Sequence, residues 1–570
     1  MRIRPIFLFV IPVFISLNFF SPFSFAENQK IQLNAPLFDN LGKFHHPITT
    51  KNSLAQRYFD QGLVLFYSFE YGEAIRSFRA AIKADPDCAM CYWGLALALG
   101  SKTDMPLNGH ELIDAKTMVG FAMEKVDQRN LSERLYIAAL AQRYADLPAQ
   151  KTDEFSGLCS SYSAVTGSSV KKYAFAMKKL SALLPDDADA KTLYAASLFD
   201  LTEWDFWSIQ GKPNLHTLET INILESAMKI DKNNPGANHL YVHIIEWSQH
   251  PEKALPNAKR LSKLVPGSEH LAHMPCHTYY SIGLYHDATL SNQLAIQIYK
   301  NYVNSCKAQG FEPEIQYLYY HNYDYLITAA SMEGRKKLSI NAADELAKQI
   351  YPLAEENPAL QKMLTDKMLM LVRFGEWEEI LKIHPPSSRF QYALAIWYYA
   401  QGIAEVKLGK INAANKHLRD LQQIIKQGPI NVNLSQTGIT LMQIAENILK
   451  GMIEDSSGQF GYALIDFKKA VSLQDTMISA DPPPWYFPAR QLLGAFLFKS
   501  RHFAEAKSIF MEDLKKHPHN GWSLYGLSKS LRQLGEDQEA DQEADHFNNE
   551  FKKSWKYSDI PVPVFLFSLD

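Results

Sequence analysis

The sequence predicts an all-α fold, a right-handed solenoid of stacked helical hairpins, and three observations lead there. The same spaced set of small and aromatic residues occurs near both ends of the chain, from Tyr58 to Pro86 and from Leu493 to Pro518. Two histidine pairs, His239 with His243 and His273 with His277, stand 34 residues apart. A spacing of four within each pair puts both rings on one helix face, about one turn apart. A period of 34 is that of a helix–turn–helix unit that stacks on its copies. The third observation is composition: 46% of the 570 residues are hydrophobic and 21% charged, enough for a packed core and unlike a disordered chain. A repeat array can use such a length as one continuous structure. The formal charge of −3 leaves no basic excess to follow a phosphate backbone, so nucleic acid is not an expected partner.

Residues 1–26 read as a secretory signal. Arg2 and Arg4 supply the positive region, Ile6 to Phe20 is largely apolar, and Ser24-Phe25-Ala26 is a small-x-small site with cleavage after Ala26. Pro12 and Asn18 interrupt a stretch already short for a span. No stable membrane insertion is therefore expected after cleavage, and the mature chain is expected in the periplasm or outside the cell. Residues 27–52 are polar and turn-rich, carry His45-His46, and are expected to form a flexible leader.

The first repeat begins at 53. Tyr58, Gly62, Leu65, Ala74, Phe78 and Pro86 fall at the offsets of the tetratricopeptide pattern, with Tyr58 in place of its Trp. Gly62 and Ala74 are small where two helices cross closely, and Pro86 ends the second helix. Cys88 and Cys91 form a C-x-x-C at the next helix start. A short-loop disulfide is the expectation in an exported chain; a low-pKa thiolate favoured by the helix dipole is the alternative. Cys159, Cys276 and Cys306 have no evident partners. Trp204, Phe206 and Trp207 form an aromatic loop, expected to pack over a seam between repeats or to line a groove.

The histidine region is registered by its alanines. Counting back from Ala254 and Ala288, the close-packing alanines of two repeats, His239 and His273 take the fifth position and His243 and His277 the ninth. In tetratricopeptide proteins, which this chain resembles, positions two, five, nine and twelve of the first helix face the concave groove, and the resemblance implies the same here. Glu246 and Tyr280 then stand at position twelve and His270 at position two. With Gly334 as the next turn glycine, His321 takes position two and Asp324 position five. Helices packed about 8–10 Å apart let imidazoles from facing positions meet. Neutral imidazole is a common ligand of Zn, Cu and Fe. His239, His243, His273, His277, His321 and His270, with Glu246 and Asp324 to complete or orient the set, are the expected metal residues. The H-E-x-x-H of zinc proteases is absent, since Leu240 stands where the Glu would be.

Tyr317 to Ala330 reads as an aromatic helix, part groove wall and part core. The expected organisation is a solenoid over 53–350 bearing the histidine site, middle hairpins over 351–453, and C-terminal repeats with a polar capping helix over 454–557. Residues 558–570 form an apolar tail that docks or stays loose. Gln427 to Ser435 is the best internal linker.

Phe59-Asp60-Gln61-Gly62, the run Asp85-Pro86-Asp87-Cys88-Ala89-Met90-Cys91-Tyr92-Trp93-Gly94, the two histidine motifs and Pro483-Pro484-Trp485-Tyr486 together resemble a group of exported bacterial tetratricopeptide-repeat proteins over most of the mature chain. The resemblance implies fold and export and assigns no activity. Cys276 departs from that group, which tends to a small hydroxyl residue there; it is a soft ligand or a space filler. The functional expectation is a scaffold whose groove holds a transition metal, with a protein or peptide ligand. The alternatives are a metal-independent adaptor and, behind it, a metal-dependent hydrolase or oxidase. Catalysis is not required by any residue pattern.

Overall fold

In the computed structural model the described residues are 35–100, 109–147, 168–311, 313, 317–355, 360–428, 436–477, 482–535, 538–567 and 569. Among them the architecture is helical, with consecutive helices packed as hairpins and a single isolated β-bridge between Trp207 and Pro213. No helix among them is long and apolar enough to cross a membrane. The expected signal at 1–26, residues 27–34 of the expected leader, Cys159 and residues 429–435 of the expected linker lie outside the described set.

Short polar side chains start several of the helices. Asn52 accepts from the N–H groups of Leu54 and Ala55 ahead of Ser53–Tyr67, Asn234 from Ala237 ahead of Pro235–Glu246, and Ser268 from Leu271 ahead of Glu269–His273. Each satisfies donors that a helix start leaves free. Within a hairpin the turn is set by one left-handed residue two positions before the second helix. Gly283, Gly334, Gly375, Gly409 and Gly458 hold that position. Phe69 and Arg501 hold it too, at φ 59° and 64°, where a side chain costs about 1–2 kcal/mol.

The landmark residues of the repeat act as a clamp. The Phe78 ring lies between Ser53–Tyr67 and Ala89–Leu99, so close that a Cβ on Gly62 would come to 2.7 Å and one on Gly94 to 2.3 Å from it. Phe510 sits in the same way between Gly494 and Gly526, at 2.7 and 2.3 Å. Glycine is required because the aromatic ring fills the crossing. Cys88 and Cys91 are joined by a disulfide at the head of Ala89–Leu99; Cys276 and Cys306 are buried and unoxidised.

Two large apolar cores form, one from Leu41 to Met274 and one from Ile296 to Leu569. Between them lies a small group including Cys276, Tyr280 and Tyr325. The expected first unit, 53–350, thus spans both cores. Each core closes because a terminal segment returns onto the middle of the chain. Gly267 N–H donates to the Asn40 carbonyl at 2.8 Å, and Ser558 Oγ to the Gly334 carbonyl at 3.0 Å.

The expected flexible leader is corrected over 35–52, which is packed. Ala35 and Leu41 are buried, His45 Nδ1 lies 2.8 Å from Asp60, and His46 Nδ1 lies 2.7 Å from Asp189. The physical reason is Asp189, a buried carboxylate that also accepts from Tyr67 Oη and Asn234 Nδ2, both at 2.8 Å. A buried charge needs several partners, and the leader supplies one. The tail docks as well: Phe565, Leu566 and Phe567 are buried, with Phe565 edge-on to Trp522 at 5.6 Å.

Gly94→Ala is expected to destabilise the fold by about 1–3 kcal/mol, the usual cost of overpacking. Gly120→Ala, whose Cβ would meet nothing within 4 Å, should be neutral or stabilising by up to about 1 kcal/mol. Denaturant unfolding of the two variants checks the pair, and equal midpoints would contradict the clamp.

Candidate metal centre

Four helical pieces bring the histidines together at the seam between the cores. His239, His243 and Glu246 lie on Pro235–Glu246, His270 and His273 on Glu269–His273, His277 on Pro275–Ser281, and His321 on Tyr317–Met332. The helix expected through His273 and His277 is broken at Met274-Pro275, where proline has no N–H to give. The contact across the break survives, with His273 Nε2 2.9 Å from His277 Nε2.

The six rings form two groups. In the first, His239 Nε2 lies 3.0 Å from His270 Nε2 and 3.1 Å from His243 Nε2. His239 Nδ1 lies 2.6 Å from the Tyr67 carbonyl. A carbonyl only accepts, so Nδ1 carries the hydrogen and Nε2 presents a bare lone pair. His270 Nδ1 is buried without a partner. In the second group are His273, His277 and His321, with ring centroids 4.8 to 5.9 Å apart. His273 Nδ1 lies 2.7 Å from Asn292 Oδ1. The Asn292 amide is oriented by its own Nδ2, which donates to the Ala288 carbonyl at 2.8 Å. His273 Nε2 is therefore bare too. In each group the three donor atoms lie within 4.8 Å of one another.

Glu246 stands between the groups. Its Oε2 is 2.6 Å from His277 Nδ1, off the line of an ideal N–H bond, and its Oε1 is 3.7 Å from His243 Nδ1. One carboxylate thus faces the outer nitrogens of two rings whose inner nitrogens point into different groups. His239, His270, His273 and His277 are buried; His243 and His321 are partly exposed, one in each group. Burial holds His239, His270 and His273 well below the usual imidazole range, and the neighbouring rings add to it. Neutral imidazole is the form that binds metal.

Aromatic rings cover the groups. Phe69, the strained turn residue, packs on His239, His243 and His270 with centroids at 4.4, 6.0 and 5.5 Å. Trp204 of the aromatic loop meets His243 edge-on at 5.2 Å, and Tyr325 lies 5.0 Å from His277. Beside the first group, Ser268 Oγ donates to Glu70 at 2.6 Å, and burial pushes Glu70 up to about 7.

The structure therefore brings together seven of the eight expected residues, and the eighth is a correction. Asp324 pairs instead with Lys362 Nζ on the short helix Gln361–Leu364, 2.6 Å from its Oδ2, because a buried carboxylate takes the nearest countercharge. The arrangement also differs from a four-histidine cluster of facing pairs. His239 meets His270 and His243, His273 meets His277 and His321, and His243 approaches His277 at 5.2 Å between centroids. Cys276 Sγ lies 3.5 Å from the outer nitrogen of His273 and joins neither donor set. Tyr67, Phe69 and Asn292 were not evident in the sequence. Phe69 carried one readable sign, a bulky residue where other hairpins place glycine.

No protein-family model matches the sequence, and no curated protein matches it. Among solved structures, a human IFIT1 dimer with m7Gppp-AAAA matches at a TM-score of 0.31 and 13% identity, over 89% of this chain and 91% of that one. The APC/C hetero-tetramer Cut9–Hcn1 matches at 0.28 and 11%, over 89% and 88%. Scores this low carry no argument, and the all-α hairpin stack rests on the packing described above.

The depressed histidines and the raised glutamate act on stability in opposite directions. A buried neutral histidine contributes stability that is lost as pH falls below the unfolded value of 6.5. The contribution of Glu70 is lost instead as pH rises from 4.5 toward about 7. In metal-free protein His270→Gln should weaken the loss of stability below about pH 6.5, and Glu70→Gln should weaken the loss above about pH 5. Thermal unfolding across pH checks both signs; identical slopes in the two variants would refute them.

Proposed function

We propose that the protein is an exported helical-repeat scaffold that holds a transition metal in its histidine cluster. The observation that carries this reading is the pair His273 and His277. The Nδ1 of His273 is committed to Asn292, and the Glu246 carboxylate 2.6 Å from the Nδ1 of His277, with the Tyr325 hydroxyl at 3.4 Å, favours a hydrogen on that outer nitrogen as well. With both hydrogens on the outside, the two Nε2 atoms face each other at 2.9 Å as acceptors, an arrangement that a cation between them would stabilise. Burial holds His273 toward the neutral form, the form of imidazole that binds a metal. A metal ion fits the spacing: with metal–nitrogen bonds of about 2.0–2.1 Å, tetrahedral ligands lie about 3.3 Å apart, close to the separations of 2.9 to 3.1 Å seen here.

An all-imidazole set suits Zn, Cu or Fe. His243 and His321, each partly exposed, give an ion a path from solvent. The Cys88–Cys91 disulfide supports an oxidising compartment, in keeping with a signal at residues 1–26 and a periplasmic or secreted location. The stacked hairpins suit a protein or peptide ligand on the scaffold's surface.

Protein purified from its own exported location should carry Zn, Cu or Fe at one equivalent per chain or more by elemental analysis. The variant His239→Ala/His273→Ala should keep its helical circular dichroism and lose that metal. Wild-type protein with no stoichiometric metal, as isolated or after reconstitution, would end the proposal.

A further inference from the structure

Resting on that metal reading, we infer that the cluster is a two-ion centre, one ion in each three-histidine group, with Glu246 as a carboxylate that both share from outside. The directions of the rings lead here. His239, His243 and His270 turn their Nε2 atoms on one point, at 3.0 and 3.1 Å from one another along the two contacts through His239. His273 and His277 turn theirs on a second point at 2.9 Å, with His321 beside them. An imidazole gives a metal one nitrogen at a time, so a single ion leaves three donors of the other group facing one another unfilled.

One competing arrangement uses the same side chains. His243, Glu246 and His277 also bring ligand atoms within 4.8 Å, and a lone ion there would take both outer Nδ1 atoms and the carboxylate. That arrangement leaves the inward Nε2 atoms of His239 and His273, fixed by the Tyr67 carbonyl and Asn292, without an ion. The two-ion arrangement accounts for every inner nitrogen. It also places Glu246 behind both groups, where a carboxylate raises the basicity of a metal-bound ring. Here one residue stands 3.7 Å from His243 and 2.6 Å from His277, which belong to different ions. Glu246 is thus a positioning residue for both groups. Each group keeps one partly exposed ring, so each ion has its own side open to a fourth ligand.

The test is a titration of metal-free, full-length mature protein with Zn²⁺ alone, read by calorimetry and by elemental analysis after desalting. Wild type should bind two ions per chain. Glu246→Gln keeps the shape of the side chain and should still bind two, each weakened about 10- to 100-fold, with unchanged circular dichroism. X-ray absorption at the zinc edge should show three imidazoles per ion, a measurement that needs no variant to fold. One ion per chain, with two imidazoles and an oxygen in its shell, overturns the two-ion inference and leaves the metal reading standing. No ion overturns both. Two ions of which Glu246→Gln weakens only one overturns the shared carboxylate.

Discussion

A single backbone carbonyl, that of Tyr67, sets the chemical direction of the site. It is the kind of acceptor that a helix leaves free in its last turn, and it takes its hydrogen bond from His239 on a helix 172 residues further along. Because it can only accept, it fixes the hydrogen of His239 on the outside and turns a lone pair inward. Asn292 does the same for His273 through a side-chain oxygen. Without these two acceptors the rings would be free to exchange hydrogens among themselves, and six neighbouring histidines would amount to polar packing.

That dependence explains why the solenoid must close on itself. The Tyr67 carbonyl reaches His239 only if the first hairpin lies against the helix Pro235–Glu246, and several contacts hold it there. Asp189 joins His46, Tyr67 and Asn234 in one buried network. A Cβ on Gly236 would strike the Tyr67 ring at 2.5 Å, so the helix bearing the histidines approaches the first hairpin as closely as a glycine allows. The cluster lies where one core ends and the next begins, which lets four helical pieces contribute to it. No single repeat has enough inward positions to do so.

The fold was legible because its determinants are local. Glycine and phenylalanine sixteen residues apart report a helix crossing, and Asn or Ser before an apolar run reports a helix start. Much of the site was legible for the same reason: His239 with His243, and His273 with His277, are i,i+4 pairs whose shared face follows from helix geometry. What escaped was set at long range. The division into two groups depends on which ring each outer nitrogen finds, and Tyr67 and Asn292 leave no pattern near the histidines that they orient. Asp324 was misplaced because the repeat register gives a face of the helix without showing that Lys362 waits on Gln361–Leu364, 38 residues further along. The segment 35–52 looks like a leader by composition, and only the buried Asp189 gives it a place.

Phe69 shows what the molecule gives up for this arrangement. At the equivalent turn five other hairpins use glycine, so a strain-free residue is available to this fold. Phe69 instead accepts a left-handed backbone at a cost of about 1–2 kcal/mol and lays its ring against three histidines. An aromatic lid lowers the local dielectric, which keeps imidazoles neutral and strengthens each contact beneath it. Neutral rings with inward lone pairs are poor packing material, since each buried nitrogen without a partner weakens the core. The strain at the turn is offset by the burial of the ring against three imidazoles, a contact that glycine could not make.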